Sequence, residues 1–349
     1  MAQIKKEIKT MGVFDSKNWN SAVFQKYLET VPRVKQNALL RSGVLRTRSD
    51  LKARLADQVG GNFINAPIVG RIGGDVQNYD GDTDIVASGI GTYLQSMIVF
   101  GRAKAWQEKD FTQDITGKDF MEEIAKQVST YWDDVDEADL LAVLAGIFGV
   151  TDDNFSSSHT LDITGAVSAA DAVVGPATLN NAIQKAAGAN KNIFSLAVMH
   201  SQVATNLENQ QLLQYWKETD ANGIQRQLNL ASWNGRTVLI DDDLVDTSDS
   251  DPVYTTYLLG AGSIDFCDCG AKVPNETKRD ELTDGGIDML ITRQRHLLAP
   301  RGFSYTDTTK VSPMASDLAT AANWAVVQGT DGSYFPSKAL PFARIKSLG

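Results

Sequence analysis

Asp241, Asp242, Asp243, Asp246, Asp249 and Asp251 crowd into one short stretch, and clustered carboxylates are the hard oxygen ligands that suit Ca²⁺. The stretch lacks the glycine at the sixth loop position and the closing Glu of an EF-hand, so a solvated acidic loop is the other reading. Cys267 and Cys269 flank Asp268 and could form one edge of a metal site. No second Cys or His pair stands at zinc spacing, which leaves two ordinary thiols as the alternative. The fragment TGKD around Gly117-Lys118 imitates a phosphate loop, but Thr112 stands where the first glycine belongs and Asp119 where the Mg²⁺-binding Ser or Thr belongs. His159, His200 and His296 share no motif, and no serine sits in a G-x-S-x-G elbow. These residues therefore predict no catalytic set, no cofactor and no metal centre, and the chain reads as a non-enzyme.

The elements that would position such residues follow from length and pattern. The 349 residues, 42% hydrophobic and 22% charged, suffice for about two domains with an ordinary core. The longest apolar stretch, Leu140 to Val150, is 11 residues, too short for the roughly 18 to 20 of a bilayer-spanning helix. The opening MAQIKKEIKTMG has no h-region, which predicts cytosolic synthesis, and the two cysteines fit a reducing compartment. The formal net charge of −10 divides unevenly, with +7 on residues 1–59 and −17 on residues 60–349. A basic arm on an acidic body predicts that the arm meets nucleic acid or the acidic surface of a neighbouring copy, or is a solvated leader. The acidic body itself is a poor surface for DNA phosphates.

Trp19, Val23 and Tyr27 recur at helical spacing before Pro32. Leu51, Leu55 and Val59 do so again, with Ser49 as N-cap and Gly60-Gly61 as stop. From Gly60 to Phe111 the pattern becomes a long hairpin, with strands Phe63 to Ile72 and Tyr93 to Arg102 around the centre GGDVQNYDGDTD. Leu94, Met97 and Val99 alternate raggedly, so the hairpin is expected either to lie on something outside or to form an edge hairpin of its own subunit. Ile124, Val128, Tyr131 or Trp132, Val135, Leu140, Leu141, Leu144 and Phe148 then predict a helix of some thirty residues from Lys118, interrupted at DEAD, residues 136–139. Beyond it the pattern predicts helix over 166–187, buried strand over 192–200, helix over 201–215 and strand over 237–240. Strands follow at 254–260, 263–267 and 287–298, in a mostly antiparallel sheet with a charged connection at 277–282.

Three stretches, taken in this order, resemble the major capsid proteins of tailed bacteriophages with the Hong Kong 97-like fold. Residues 100–148, beginning FGRAKAWQEKDF, are similar to that family's passage from extended loop to spine helix. Residues 197–244, from AVMHSQVATNLENQQLL to NGRTVLIDDDL, are similar to its apical helix and following strand. Residues 254–305 and 312–324 carry the most specific pattern: Gly262-Ser263, Glu276-Thr277-Lys278-Arg279, Thr292-Arg293 and Pro300-Arg301-Gly302-Phe303.

The resemblance implies an α+β fold with an N-terminal arm over 1–59, an extended β-hairpin loop over 60–112 and the spine helix with the first part of a peripheral domain over 113–165. It further implies an axial domain over 166–253, return strands of the peripheral domain over 254–310, and a C-terminal segment over 311–349. The implied function is a virion structural protein, assembled in the host cytoplasm, whose copies form pentamers and hexamers of an icosahedral shell around double-stranded DNA. Implied partners are the chain itself, scaffold, portal and decoration proteins, and packaged DNA touched non-specifically, with no membrane. Two alternatives stand beside this: an encapsulin-type compartment shell and a small-molecule enzyme on the α/β segment. The inter-subunit contacts expected are Arg71, Asp75, Asp80, Asp82 and Asp84 on the loop, and Arg33, Lys35, Arg41, Arg46 and Arg48 on the arm. Residues 60–101 balance to −3 and contain no Lys, so they complement the arm and offer no amine for the Lys–Asn welds some relatives make.

Overall fold

The computed structural model describes residues 39, 42–57, 61–70, 72, 75–82, 84, 87, 89–116, 120–168, 171–219, 225–247 and 251–349. The predicted helix at Trp19 to Tyr27 lies outside them. In chain order the elements begin with β1 (Leu45–Thr47), α1 (Ser49–Asp57), β2 (Phe63–Val69), β3 (Thr92–Lys109), α2 (Asp110–Thr116), α3 (Phe120–Ile147) and α4 (Phe155–His159). Next come β4 (Thr160–Asp162), α5 (Thr178–Ala187), β5 (Leu196–Met199), α6 (Ser201–Asn209), β6 (Leu213–Thr219), β7 (Gln225–Trp233), β8 (Arg236–Ile240) and β9 (Val245–Asp246). The chain ends with β10 (Val253–Leu259), β11 (Ile264–Asp268), β12 (Asn275–Asp280), β13 (Ile287–Pro300), β14 (Phe303–Tyr305), α7 (Ala315–Leu318), β15 (Trp324–Val326) and β16 (Phe342–Ser347).

The described residues fall into two compact units, the smaller from Ala103–Tyr131 and Lys272–Arg293, the larger from the remainder. In the smaller unit β12 pairs antiparallel with β13, from Asn275 opposite Thr292 to Asp280 opposite Ile287. This corrects the charged connection expected at 277–282. NETKRD shows no apolar alternation because its side chains stay in water, and backbone pairing to β13 alone makes it a strand. Arg279 fixes it, with Nη1 2.9 Å from Asp288 and Nη2 2.5 Å from Asp110. Glu108 Oε2 accepts the Met121 N–H at 2.7 Å, placing a carboxylate on the positive end of α3.

The larger unit holds a mixed sheet ordered β4-β16-β10-β5-β8-β7-β6, with β9 on β10. β5 and β8 run parallel, Leu196 opposite Thr237, with α6 in the crossover between them. Several expectations are corrected here. The helix predicted over 166–187 is confined to α5, because Pro176 turns the residue before it away from helical geometry. The helix predicted over 201–215 ends at Asn209, Gln211 adopts φ 58°, and β6 follows. β10, read from sequence with the later strands, lies between β5 and β16 in this sheet. Ser49 is the first residue of α1 rather than its cap.

A second sheet of the larger unit is ordered β1-β11-β13-β3-β2. The expected hairpin is present, Phe63 opposite Ile98 through Val69 opposite Thr92. Its raggedness has a cause. In the larger unit both faces of β3 are covered, Met97 and Val99 by Leu51, Ile64 and Leu297, Ile98 and Phe100 by the core that holds Leu140, Leu144 and Ile147 of α3. A strand covered on both sides reads as a continuous apolar run, and each such large side chain contributes about 1.5–3 kcal/mol by burial. The spine helix is as predicted in kind and within two residues at its start. Among the described residues no helix is long and apolar enough to cross a membrane.

Candidate assembly surface

The base of the β2–β3 hairpin is fastened to its own body. Gln95 Nε2 donates to the carbonyls of Pro300 and Phe303, both at 2.8 Å, and Ser96 N–H donates to Ser304 Oγ at 3.1 Å. The Tyr93 ring meets Phe335 edge-on at 5.4 Å, and Gly70 N–H donates to Gly91 O at 2.8 Å. A Cβ on Gly70 would stand 2.8 Å from that same oxygen, so only glycine lets the two strands close here. Of the two readings of the hairpin, the base follows the edge hairpin of its own subunit and forms part of the subunit core.

Beyond that closure the chain is exposed. Ile72, Val76 and Tyr79 are 75%, 98% and 90% exposed, and Val69, Ile90 and Leu94 are exposed as well. Scattered apolar surface residues need no explanation; these six all fall within residues 69–94. Among them stand Asp75, Asp80, Asp82 and Asp84, all exposed. Asp80 shapes the tip, accepting from Asn78 Nδ2 at 2.9 Å and from the Asp82 N–H at 3.0 Å. Arg71 lies outside the described residues.

Of the basic arm, Arg33, Lys35 and Arg41 also lie outside. Arg46 and Arg48, expected to face a neighbouring copy, converge inside the chain on Asp265. Arg46 Nε is 2.7 Å from its Oδ1 and Arg48 Nη1 3.1 Å from its Oδ2, and Arg48 also holds Asp50 at 2.6 Å. Asp265 is nearly buried, and β1 pairs parallel with β11, Arg46 opposite Asp265. A buried carboxylate requires cations, and the arm's own residues supply them.

The remaining chemically suggestive residues have local structural roles. His200 Nδ1 accepts the Gln202 N–H at 3.0 Å at the start of α6, and His159 stacks on Phe155 with Nδ1 2.6 Å from Phe342 O. Asp241 accepts the Asp243 N–H at 3.0 Å, Asp242 lies 3.8 Å from His200, Asp246 belongs to β9, Asp251 is exposed, and Asp249 lies outside the described residues. Cys267 and Cys269 are free thiols, and burial pushes the Cys269 thiol up to about 12. Gly117, Lys118 and Asp119 are outside the described residues. Among the described residues no group of His, Cys, Asp and Glu could hold a metal ion.

No family model matches the chain. It is 29% identical over 292 residues to the major capsid protein of Bacillus phage SPP1, which covers 82% of this chain and 86% of that one. Three solved structures share its fold at 12% identity. The cyanophage Pam1 capsid matches with TM-score 0.57 over 95% of this chain and 96% of that one. The capsid of Ralstonia phage GP4 matches with 0.56 over 97% of each, and the head of Helicobacter pylori bacteriophage KHP40 with 0.53 over 87% of each. In sequence along four-fifths of its length the chain is similar to a phage major capsid protein, and along nearly all of it the fold is that of phage capsid structures, the Hong Kong 97-like architecture.

Proposed function

We propose that this head-shell protein closes into an icosahedral shell around double-stranded DNA by repeating one set of contacts, in which the acidic, apolar tip of residues 69–94 lies on an adjacent copy. The observation that carries this is the exposure of Ile72, Val76 and Tyr79 on a loop whose base is rigidly seated. The basic part of the arm outside the described residues is the complementary surface. Exposed ion pairs contribute about 0–1 kcal/mol each, so closure depends on many copies meeting several neighbours at once. In this reading residues 1–59 are the arm, 60–112 the loop, 113–165 and 254–310 the peripheral domain and 166–253 most of the axial domain, with 311–349 as C-terminal segment. Host cytoplasm is the site of assembly. Scaffold, portal and decoration proteins and packaged DNA are partners of the assembled form. The role is structural rather than catalytic.

Deleting residues 74–86 is expected to leave a folded subunit that forms no shells. Regular particles from that deletion, seen by electron microscopy, would refute the loop's role.

A further inference from the structure

Within the larger unit, one turn of α3 carries Asp136, Glu137 and Asp139 toward the interior, Glu137 and Asp139 being buried outright. Arg102 of β3 takes Asp139 in a two-point pair, with Nε 3.0 Å from Oδ2 and Nη2 2.9 Å from Oδ1. Gln294 of β13 donates to Asp136 Oδ1 at 2.7 Å. His296, two residues along the same strand and 3% exposed, aims Nε2 between the carboxylates, 3.8 Å from Asp136 Oδ1 and 3.9 Å from Asp139 Oδ2. That nitrogen makes no hydrogen bond. A buried polar atom without a partner costs free energy, and a shift of about 1 Å would bring it within hydrogen-bond reach of Asp136.

We propose that Asp136 and His296 form a proton-operated joint between the spine helix and β13, in which a protonated Asp136 carboxyl donates to the neutral Nε2 and loss of that proton opens the contact. The charged and titratable groups facing the pair are Asp133, Glu137 and Asp139 on α3, Arg102 on β3 and Asp268 on β11, opposite His296. Four carboxylates against one guanidinium favour adding a proton over keeping another buried negative charge. Burial pushes the Asp136 carboxyl up to about 7, helped by Asp139 and Asp133, while burial and Arg102 push the His296 imidazole down to about 4. Between those limits acid and base are both uncharged, which is the pairing the contact requires.

The two groups tilt stability in opposite senses. Asp136, raised above its unfolded value, favours folding at low pH and loses that contribution as pH rises from about 4 to about 7. His296, lowered, loses its contribution as pH falls from about 6.5 to about 4. In the intact pair the slopes largely cancel over that window. The test is the thermal unfolding midpoint of the dispersed full chain from pH 4 to pH 7, for D136N and H296Q relative to wild type. Asp136→Asn should make the midpoint rise with pH, and His296→Gln should make it fall. Both variants running parallel to wild type would overturn the joint. Should either variant fail to fold, wild-type NMR decides: an Asp136 carboxyl titrating near 7 with a His296 ring neutral to about pH 5 supports the joint, and unshifted values reject it. Both readouts use unassembled chain, so their failure leaves the shell reading standing.

Discussion

Arg102 and Asp139 meet inside the larger unit as a parallel two-bond ion pair, with the guanidinium also 2.8 Å from Pro313 O and 4.7 Å from the Phe100 ring centre. Strand β3, helix α3 and the segment before α7 are thereby tied at one side chain. Removing one partner of such a buried pair strands the other charge, at about 3–5 kcal/mol. Arg102→Met should therefore lower the chemical denaturation midpoint strongly, and the double variant Arg102→Met with Asp139→Leu should recover much of the loss. A single variant as stable as wild type would contradict this geometry.

Gly146 lies on the face of α3 that meets the segment after α7. A Cβ there would collide with Leu318 O and stand 2.7 Å from Trp324 Nε1, the two atoms that hydrogen-bond each other at 2.8 Å. Gly146→Ala should cost about 1–3 kcal/mol by overpacking despite better helix propensity, and should red-shift Trp324 emission. Stabilisation by the alanine would mean that this contact is looser than described.

Asp265 holds Arg46 and Arg48, and so holds β1 against β11. Asp265→Ala should release this segment and make trypsin cut after Arg46 and Arg48 several-fold faster in a still folded chain, as peptide mapping would report. An unchanged cleavage pattern would show that strand pairing alone retains it.

Val76 and Tyr79 touch little of their own subunit. Val76→Asp with Tyr79→Ser should change subunit stability by no more than about 0.5 kcal/mol and yet prevent shells in sedimentation and electron microscopy. A large stability loss would place the tip in the subunit core instead.

What the sequence disclosed follows physical rules. The spine helix was legible because its apolar residues keep helical spacing over 28 residues, and the hairpin because Gly73-Gly74, Asp80-Gly81 and the surrounding acids mark a bend between apolar runs. β12 was hidden because an exposed strand has no period to read. β7 and β16 were missed, although Asn234-Gly235 directly after RQLNLASW is a strong hairpin signal that places β7 against β8. The loop tip was foreseen from its composition, whereas its seated base depends on Gln95 bonding to carbonyls some two hundred residues away. The DEAD segment looked like a polar break in the helix. Its partners, Arg102 and His296, stand in strands that carry several other charged residues, so nothing in the sequence set them apart as the ones that face α3.

The place of β16 beside β10 has a consequence for timing. β10 is paired to β5 on one side, and its other side stays open until residues 342–347 have been made, more than eighty positions later. Nascent chains on the ribosome therefore carry an unfinished sheet with bare backbone donors and acceptors. Until β16 arrives, that open edge is a template for pairing with the wrong strand.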